Sequence, residues 1–442
     1  MLSLLDKYVH LIDTTEPIKY SGSVKRVQGL LIESLGPQAE VGELCRIETK
    51  NGDVLGEVVG LKGSTVQLMP FTETAGIEVG CQVTATGDCL SVPVSEALLG
   101  RVLDGMGKPI DGKPDIFPEN TYPCMSNPPR VLDRHPIREQ IVTGVRALDV
   151  LNAVGKGQRL GIFSGSGVGK STLLGMIARN TSADMNVIAM IGERGREVRE
   201  FIENDLGPEG LAKSVVIVST SNSPPLSRLR GAFVATAVAE YFRDQGKDVM
   251  LLFDSVTRFA WAQREIGLAI GEPPATRGFT PSVFSILPKL LERSGTSANG
   301  TITGFYSILV EGDDMNEPVS DAVRGILDGH LVLSRRLAQR YHYPAIDILS
   351  SLSRLANKIC SPEILRAASY IRRLMAVYAE SEDLINVGAY VKGSNKEIDT
   401  AIDKINYINQ FLRQEITEKA ALEDSNNQAL ALTDQEERPQ ES

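Results

Sequence analysis

The sequence predicts an α/β protein: a parallel sheet covered by helices, with a small β-barrel before it and a helical domain after it. Three observations carry this. Between about residues 140 and 340, continuous apolar runs ("QRLGIFS", "NVIAMIG", "SVVIVST", "DVMLLFD") alternate with helical stretches, the pattern of strands buried on both faces of a parallel sheet. From about Ser21 to Ser95, short apolar runs are broken by turn residues such as Asn51-Gly52-Asp53, which predicts a small antiparallel barrel or sandwich. Beyond about Ser350 the chain becomes amphipathic helical text, with apolar residues at helical spacing.

The elements follow in order. The first segment, "MLSLLDKYVHLIDTTEP", places Leu2, Leu5, Val9 and Ile12 on one helical face. This predicts a short amphipathic helix over residues 1–20, which either packs on its own domain or docks a partner. The barrel domain occupies 21–95 and includes "LLIESLG", "VQLMPF" and "CQVTATG". The Gly- and Pro-rich "LLGRVLDGMGKPIDGKP" marks its exit, because such residues punctuate domains. The α/β domain is assigned to 96–345 and the helical domain to 346–420, with "PEILRAASYIRRLMAVYAESEDL" and "KEIDTAIDKINYINQFLRQEI" as its helices. The polar, acidic text of 421–442 predicts a disordered tail, having too little apolar surface to bury.

Composition bounds the function. A chain of 442 residues is too long for one core, and its 42% hydrophobic share is that of an ordinary soluble protein. A net charge of −10 argues against a broad nucleic-acid surface, since phosphate backbones are held by clustered Lys and Arg. The cysteines (Cys45, Cys81, Cys89, Cys124, Cys360) are scattered without C-x-x-C spacing, and the four histidines are equally dispersed. Reduced thiols and no His/Cys metal site are expected. No signal-peptide pattern and no apolar run of the ~18 residues a span needs is present. A cytoplasmic chain whose membrane contact is peripheral is expected.

The chemistry is carried by "GIFSGSGVGKST", residues 161 to 172. A phosphate-binding P-loop turns its backbone N–H groups inward around the phosphates. Its lysine reaches the β and γ oxygens, the next hydroxyl coordinates Mg²⁺, and the following helix offers its positive N-terminus. Strand "RLGIF", the loop Gly165, Ser166, Gly167, Val168, Gly169, and the helix opened by Lys170, Ser171 and Thr172 stand in that order. The usual first glycine is replaced by Ser164, a small side chain at the strand-to-loop corner. Asp254 ends the apolar strand "DVMLLFD", where a carboxylate holds Mg²⁺ through water. In "MIGERGREVREF", Glu193 follows another apolar strand and so projects into the crevice at the strands' C-terminal ends. By composition alone, Glu-Arg-Gly-Arg-Glu reads as a solvated loop of mixed charge.

Together these stretches resemble the catalytic subunits of the rotary ATP synthase superfamily, whose core is RecA-like, over about residues 20–410. "PAIDILSSLS" (344 to 353) fits that superfamily's P-[SAP]-[LIV]-[DNH]-x-x-x-S-x-S motif. Within it, "DSVTRFAWAQREIGLAIGEPPATRGFTPSVFSILPKLLERSG" and "LVEGDDMNEPVSDAVRGILDGHLVLSR" are most similar to the flagellar type III protein-export ATPases, with the ATPase of a virulence type III secretion system as the nearest alternative. Members of that branch carry a small non-glycine residue at the position of Ser164.

The resemblance implies ATP and Mg²⁺ as ligands. It implies Glu193 as the glutamate that polarises the attacking water, and Arg194 and Arg258 near the phosphates. Tyr343 would stack on adenine, and Arg354 would be an arginine finger reaching a neighbour's nucleotide. It further implies a homohexamer and a stator-like regulatory protein on the N-terminal helix. A central stalk, an export gate and chaperone–substrate complexes are the other implied partners. The synthase's longer acidic helix-loop-helix is absent, leaving only Glu380-Ser381-Glu382-Asp383. A hexameric RecA-type RNA motor is the alternative of another class; the acidic balance and the lack of an aromatic-basic platform in 21–95 speak against it.

Overall fold

The first strand of the computed structural model, β1 (Ser21–Gln28), pairs with both β2 (Leu31–Leu35) and β6 (Gln82–Cys89). With β3 (Glu43–Thr49), β4 (Gly52–Lys62) and β5 (Thr65–Pro70), it closes a barrel of order β1-β2-β5-β4-β3-β6. Alternation decides the faces: Cys45 and Ile47 point inward while Arg46 and Glu48 face water, as the two-residue period of a strand requires. Val24, Ile32, Val58, Leu68 and Val83 complete the barrel core. The structure describes residues 20–433, Glu311 and Asp313 excepted. Apart from Tyr20, the helix expected over 1–20 lies outside the described residues.

The second layer is a sheet built on eight strands in sequence: β7 (Arg101–Asp104), β8 (Arg159–Ser164), β9 (Met185–Ile191), β10 (Ser214–Ser219), β11 (Asp248–Asp254), β12 (Thr301–Leu309), β13 (Gly329–Leu333) and β14 (Ile346–Ser353). Their spatial order is β14-β13-β8-β12-β11-β9-β10-β7. All neighbours are parallel except β13 and β14. Every residue of β9 and β10 is buried, because helices cover both faces. On one face lie α2 (Pro225–Asp244), α3 (Val256–Ile270) and α4 (Pro281–Leu291); on the other lies α1 (Lys170–Asn180). From β8 the chain crosses past β12 and β11 to reach β9, and the crevice lies at the C-terminal ends of these strands.

Two placements differ from the sequence reading. Arg101–Asp104, read as part of the exit from the barrel domain, is an edge strand paired in parallel with β10. Ile346–Ser353, assigned to the helical domain, is the strand that closes the opposite edge of the sheet. The helical domain proper is α5 (Pro362–Asn386), α6 (Lys396–Leu412) and α7 (Leu422–Ala431). The expected disordered tail is corrected over α7: Ser425 and Ala429 are buried, and Leu430 and Leu432 pack on the same core as α5. Residues 434–442 lie outside the described residues.

A buried ion pair fixes the barrel to the sheet domain. Arg230 on α2 donates from Nε to Glu57 Oε2 of β4 at 2.7 Å, with a second contact from Nη2 to Oε1. Both side chains are nearly free of solvent. Breaking such a pair from one side leaves an uncompensated charge, whereas replacing both partners by apolar groups is often neutral. Glu57→Gln is therefore expected to destabilise by about 3–5 kcal/mol. Glu57→Leu with Arg230→Met is expected to recover most of that loss, as read by urea unfolding; equal damage from both would refute the account.

Candidate active site

The P-loop is where the sequence places it. Strand β8 ends at Ser164, residues 165–169 turn, and α1 begins at Lys170. Gly169 holds φ +89°, and a Cβ there would stand 3.5 Å from the Tyr343 ring. The left-handed backbone conformation is what favours glycine here, since a Cβ at that distance from the ring would be in ordinary van der Waals contact. Ser171 and Thr172 follow in the first turn of α1, half-buried.

Two strand ends bring charge to the lysine. Its ammonium contacts Asp254 Oδ1 at the end of β11 and stands 3.7 Å from Glu193 Oε1 just beyond β9. Asp254 also accepts a 2.7 Å hydrogen bond from Ser307 Oγ of β12. Burial works against the charge of Lys170, but Asp254 and Glu193 outweigh it and hold the ammonium above its usual range. Burial, then the negative charge of Asp254, push Glu193 above the ordinary carboxylate range, against the pull of Lys170 and Arg258. Glu193 Oε1 and Ser164 Oγ are buried without a hydrogen-bond partner. Such orphans are costly, and a ligand's polar atoms would satisfy them.

Not every expected residue is in the crevice. Arg194 is mostly solvent-exposed and pairs with Glu197 at 3.4 Å on its own helix; the structure does not bring it to Lys170. Arg354 is exposed at the far end of β14, its N–H donating to Asp328 O at 3.1 Å. Asp328 in turn holds Arg159 at the start of β8. The P-loop leaves the other end of that strand, roughly 16 Å away by strand rise. The acidic run on α5 is partly consumed internally, since Glu382 pairs with Arg336 and Arg340.

Tyr343 borders a cleft of ≈ 490 Å³ that sequence reasoning did not delimit. Gly167, Gly169, Thr172 and Met176 line one side, and the segment from Arg413 to Glu418 faces them. Gln414 anchors that segment: it donates to Gly144 O at 2.7 Å and accepts from Arg146 N at 3.0 Å. No motif marks these residues; only the return of the chain after α6 puts them beside the P-loop. Beside the cleft, burial and the nearby Arg413 charge push His342 down to about 4. A depressed histidine is neutral in the fold, so its stability contribution is complete above its unfolded value of ~6.5 and is lost as pH falls towards about 4. His342→Gln is expected to lessen the fall of the thermal midpoint between pH 7 and 5 relative to the unsubstituted chain; parallel curves would contradict this.

The donors at the P-loop mouth are a hydroxyl (Ser171) and carboxylates (Asp254, Glu193), hard oxygen ligands of the kind Mg²⁺ takes together with phosphate oxygens and water. The residues fit a Mg²⁺–nucleotide.

Comparison with known proteins places the fold in a family. The model of the ATP synthase alpha/beta family, nucleotide-binding domain, matches residues 144–353, and that family's beta-barrel domain matches 24–87. The chain is 59% identical over 435 residues to the flagellum-specific ATP synthase of Treponema pallidum, covering 97% of each chain. It is 54% identical over 434 residues to that of Bacillus subtilis, covering 97% of this chain and 99% of the relative. Among solved structures, the assembled ATPase EscN of the enteropathogenic E. coli type III secretion system superposes with a TM-score of 0.89 at 44% identity, over 93% of this chain and 99% of EscN. The same ATPase has been solved with its central stalk EscO, with a TM-score of 0.87 at 43% identity and the same coverage. The fold and site thus define a P-loop nucleotide-binding protein, and the chain belongs to the ATP synthase alpha/beta family. Within that family it groups with the flagellum-specific and type III secretion ATPases, and the T3SS EscN ATPase C-terminal domain matches residues 360–430.

Proposed function

We propose that this protein hydrolyses ATP to energise protein export by the flagellar type III apparatus, acting as a homohexamer. The observation that carries the catalytic part is the convergence of Lys170, Glu193 and Asp254 at the P-loop mouth. The higher identity to flagellar relatives favours the flagellar over the virulence apparatus.

In this reading the N–H groups of 165–170 and the N-terminus of α1 cradle the phosphates. Lys170 leaves Asp254 for the β and γ oxygens, and Tyr343 and the cleft beside it take the adenine. Ser171 directly, and Asp254 through water, would hold Mg²⁺, which when bound neutralises charge developing between the β and γ phosphates. Glu193 orients the attacking water and receives its proton, a role suited to a carboxylate held above the usual range. Arg258 approaches the phosphates from α3. Arg194 remains at the rim unless ring assembly turns it inward. Arg354 faces away from its own P-loop and serves the neighbouring subunit.

The remaining partners follow from the same reading: a central stalk such as EscN has in EscO, a regulator on residues 1–20, the export gate and chaperone–substrate complexes. Among the described residues no helix is long and apolar enough to cross a membrane; peripheral attachment at the cytoplasmic face belongs to the same reading. The test is deletion and complementation in the native cell. Loss of filament export, restored by the unsubstituted chain but not by Lys170→Ala, is expected. Normal filaments with loss of another secretion system would overturn the flagellar assignment.

A further inference from the structure

The chain has a single tryptophan, Trp261. It sits one turn after Arg258 on α3, and the Arg258 guanidinium carbon lies 4.8 Å from the centre of its ring. On the other side the arginine stem lies against Gly192. A Cβ at that glycine would come within 2.6 Å of Arg258 Cβ and 3.0 Å of Cγ. Gly192 itself has φ +74° and directly precedes Glu193. Arg258 Nε is buried without a hydrogen-bond partner. No carboxylate forms an ion pair with Arg258 among the described residues, although its charge acts on both Lys170 and Glu193.

An arginine near phosphates must be held in place without its charge being spent. A carboxylate would fix it but would compete with the phosphate for it. An aromatic face fixes it by attraction to the ring quadrupole and leaves its N–H donors free. We propose that Trp261 is a positioning residue of the nucleotide site, holding the Arg258 guanidinium on its ring face while the arginine stem rests against Gly192, ready for the phosphates. The proposal rests on the ATPase reading above. A bulky apolar residue such as leucine would fill the same partly buried position and supply none of this attraction.

The experiment is a double-mutant cycle on binding of the non-hydrolysable analogue MgAMP-PNP, read by calorimetry, with ATPase rates alongside. Trp261→Leu is expected to weaken binding about 5- to 10-fold, the range of a partly desolvated cation–π contact. Trp261→Phe is expected to retain most of the affinity. In an Arg258→Ala background, Trp261→Leu is expected to change nothing further, because the tryptophan acts only through the arginine. Trp261→Met, which fills space without an aromatic face, serves as the second variant should leucine impair folding. Unchanged affinity in Trp261→Leu or Trp261→Met overturns the proposal. So does an equal loss with and without Arg258, which marks a purely structural role. Lys170→Ala separates the two levels. If it loses binding while Trp261 is silent, only the positioning role falls. If it binds like the unsubstituted chain, the site reading itself fails.

Discussion

Glu193→Gln is expected to lower kcat for ATP hydrolysis by about 10²- to 10⁴-fold, the usual contribution of a positioned general base, while MgATP still binds. Glutamine keeps the shape and one hydrogen-bonding oxygen but cannot accept a proton. The carboxylate is well placed to act as that base, since it follows directly on β9, is nearly buried, and keeps Oε1 unpartnered. Burial and the charge of Asp254 raise it above the ordinary carboxylate range. Because the ionised form is the active one, the acid limb of the kcat/KM profile, which reports the free enzyme, should lie at higher pH than for an ordinary exposed glutamate. That limb should vanish from the residual activity of Glu193→Gln. Phosphate release and nucleotide binding measured on the same preparations decide the matter. Equal turnover by both proteins would remove Glu193 from the mechanism, and loss of binding would make its role structural.

What the sequence revealed depended on how local the signal was. The strands β8 to β11 were legible because burial on both faces leaves a continuous apolar run, and the P-loop because its glycines and Lys-Ser are contiguous. Arg101–Asp104 was not read as a strand: only four residues long, it lies inside a Gly- and Pro-rich passage and takes its order from β10. Helix α7 is polar in composition, and its few buried residues gain a partner only when it packs back on α5. The cleft wall from Arg413 to Glu418 depends on the long-range hydrogen bonds of Gln414. At the site, Glu193 and Asp254 were placed by strand ends and resemblance. The Ser307 hydroxyl that supports Asp254 comes from a distant strand and carried no signal. Arg194, assigned to the phosphates by resemblance, stands at the exposed rim of the single chain, since a motif position says nothing about which way a side chain turns.

Arg354→Ala is expected to reduce ring ATPase activity by about 10³- to 10⁵-fold, the range an arginine finger supplies in related phosphoryl transfers. The geometry makes the direction of action testable. Arg354 lies beside Asp328 and Arg159, at the end of β8 remote from the P-loop, so it cannot complete the site of its own subunit. In a ring, a subunit with Arg354→Ala retains an intact Glu193 site, and one with Glu193→Gln retains an intact finger. Each variant alone should be inactive. Mixed and reassembled together, about a quarter of the interfaces in randomly composed rings pair an intact site with an intact finger, and activity should return in that proportion. Activity per subunit should then be greatest at equal mixing and fall away on either side. If Arg354 acted within its own chain, every subunit in the mixture would carry a lesion and no ratio would restore hydrolysis. If Arg354→Ala alone kept its rate, the shared site would be wrong, although the crevice around Lys170, Glu193 and Asp254 would still bind nucleotide.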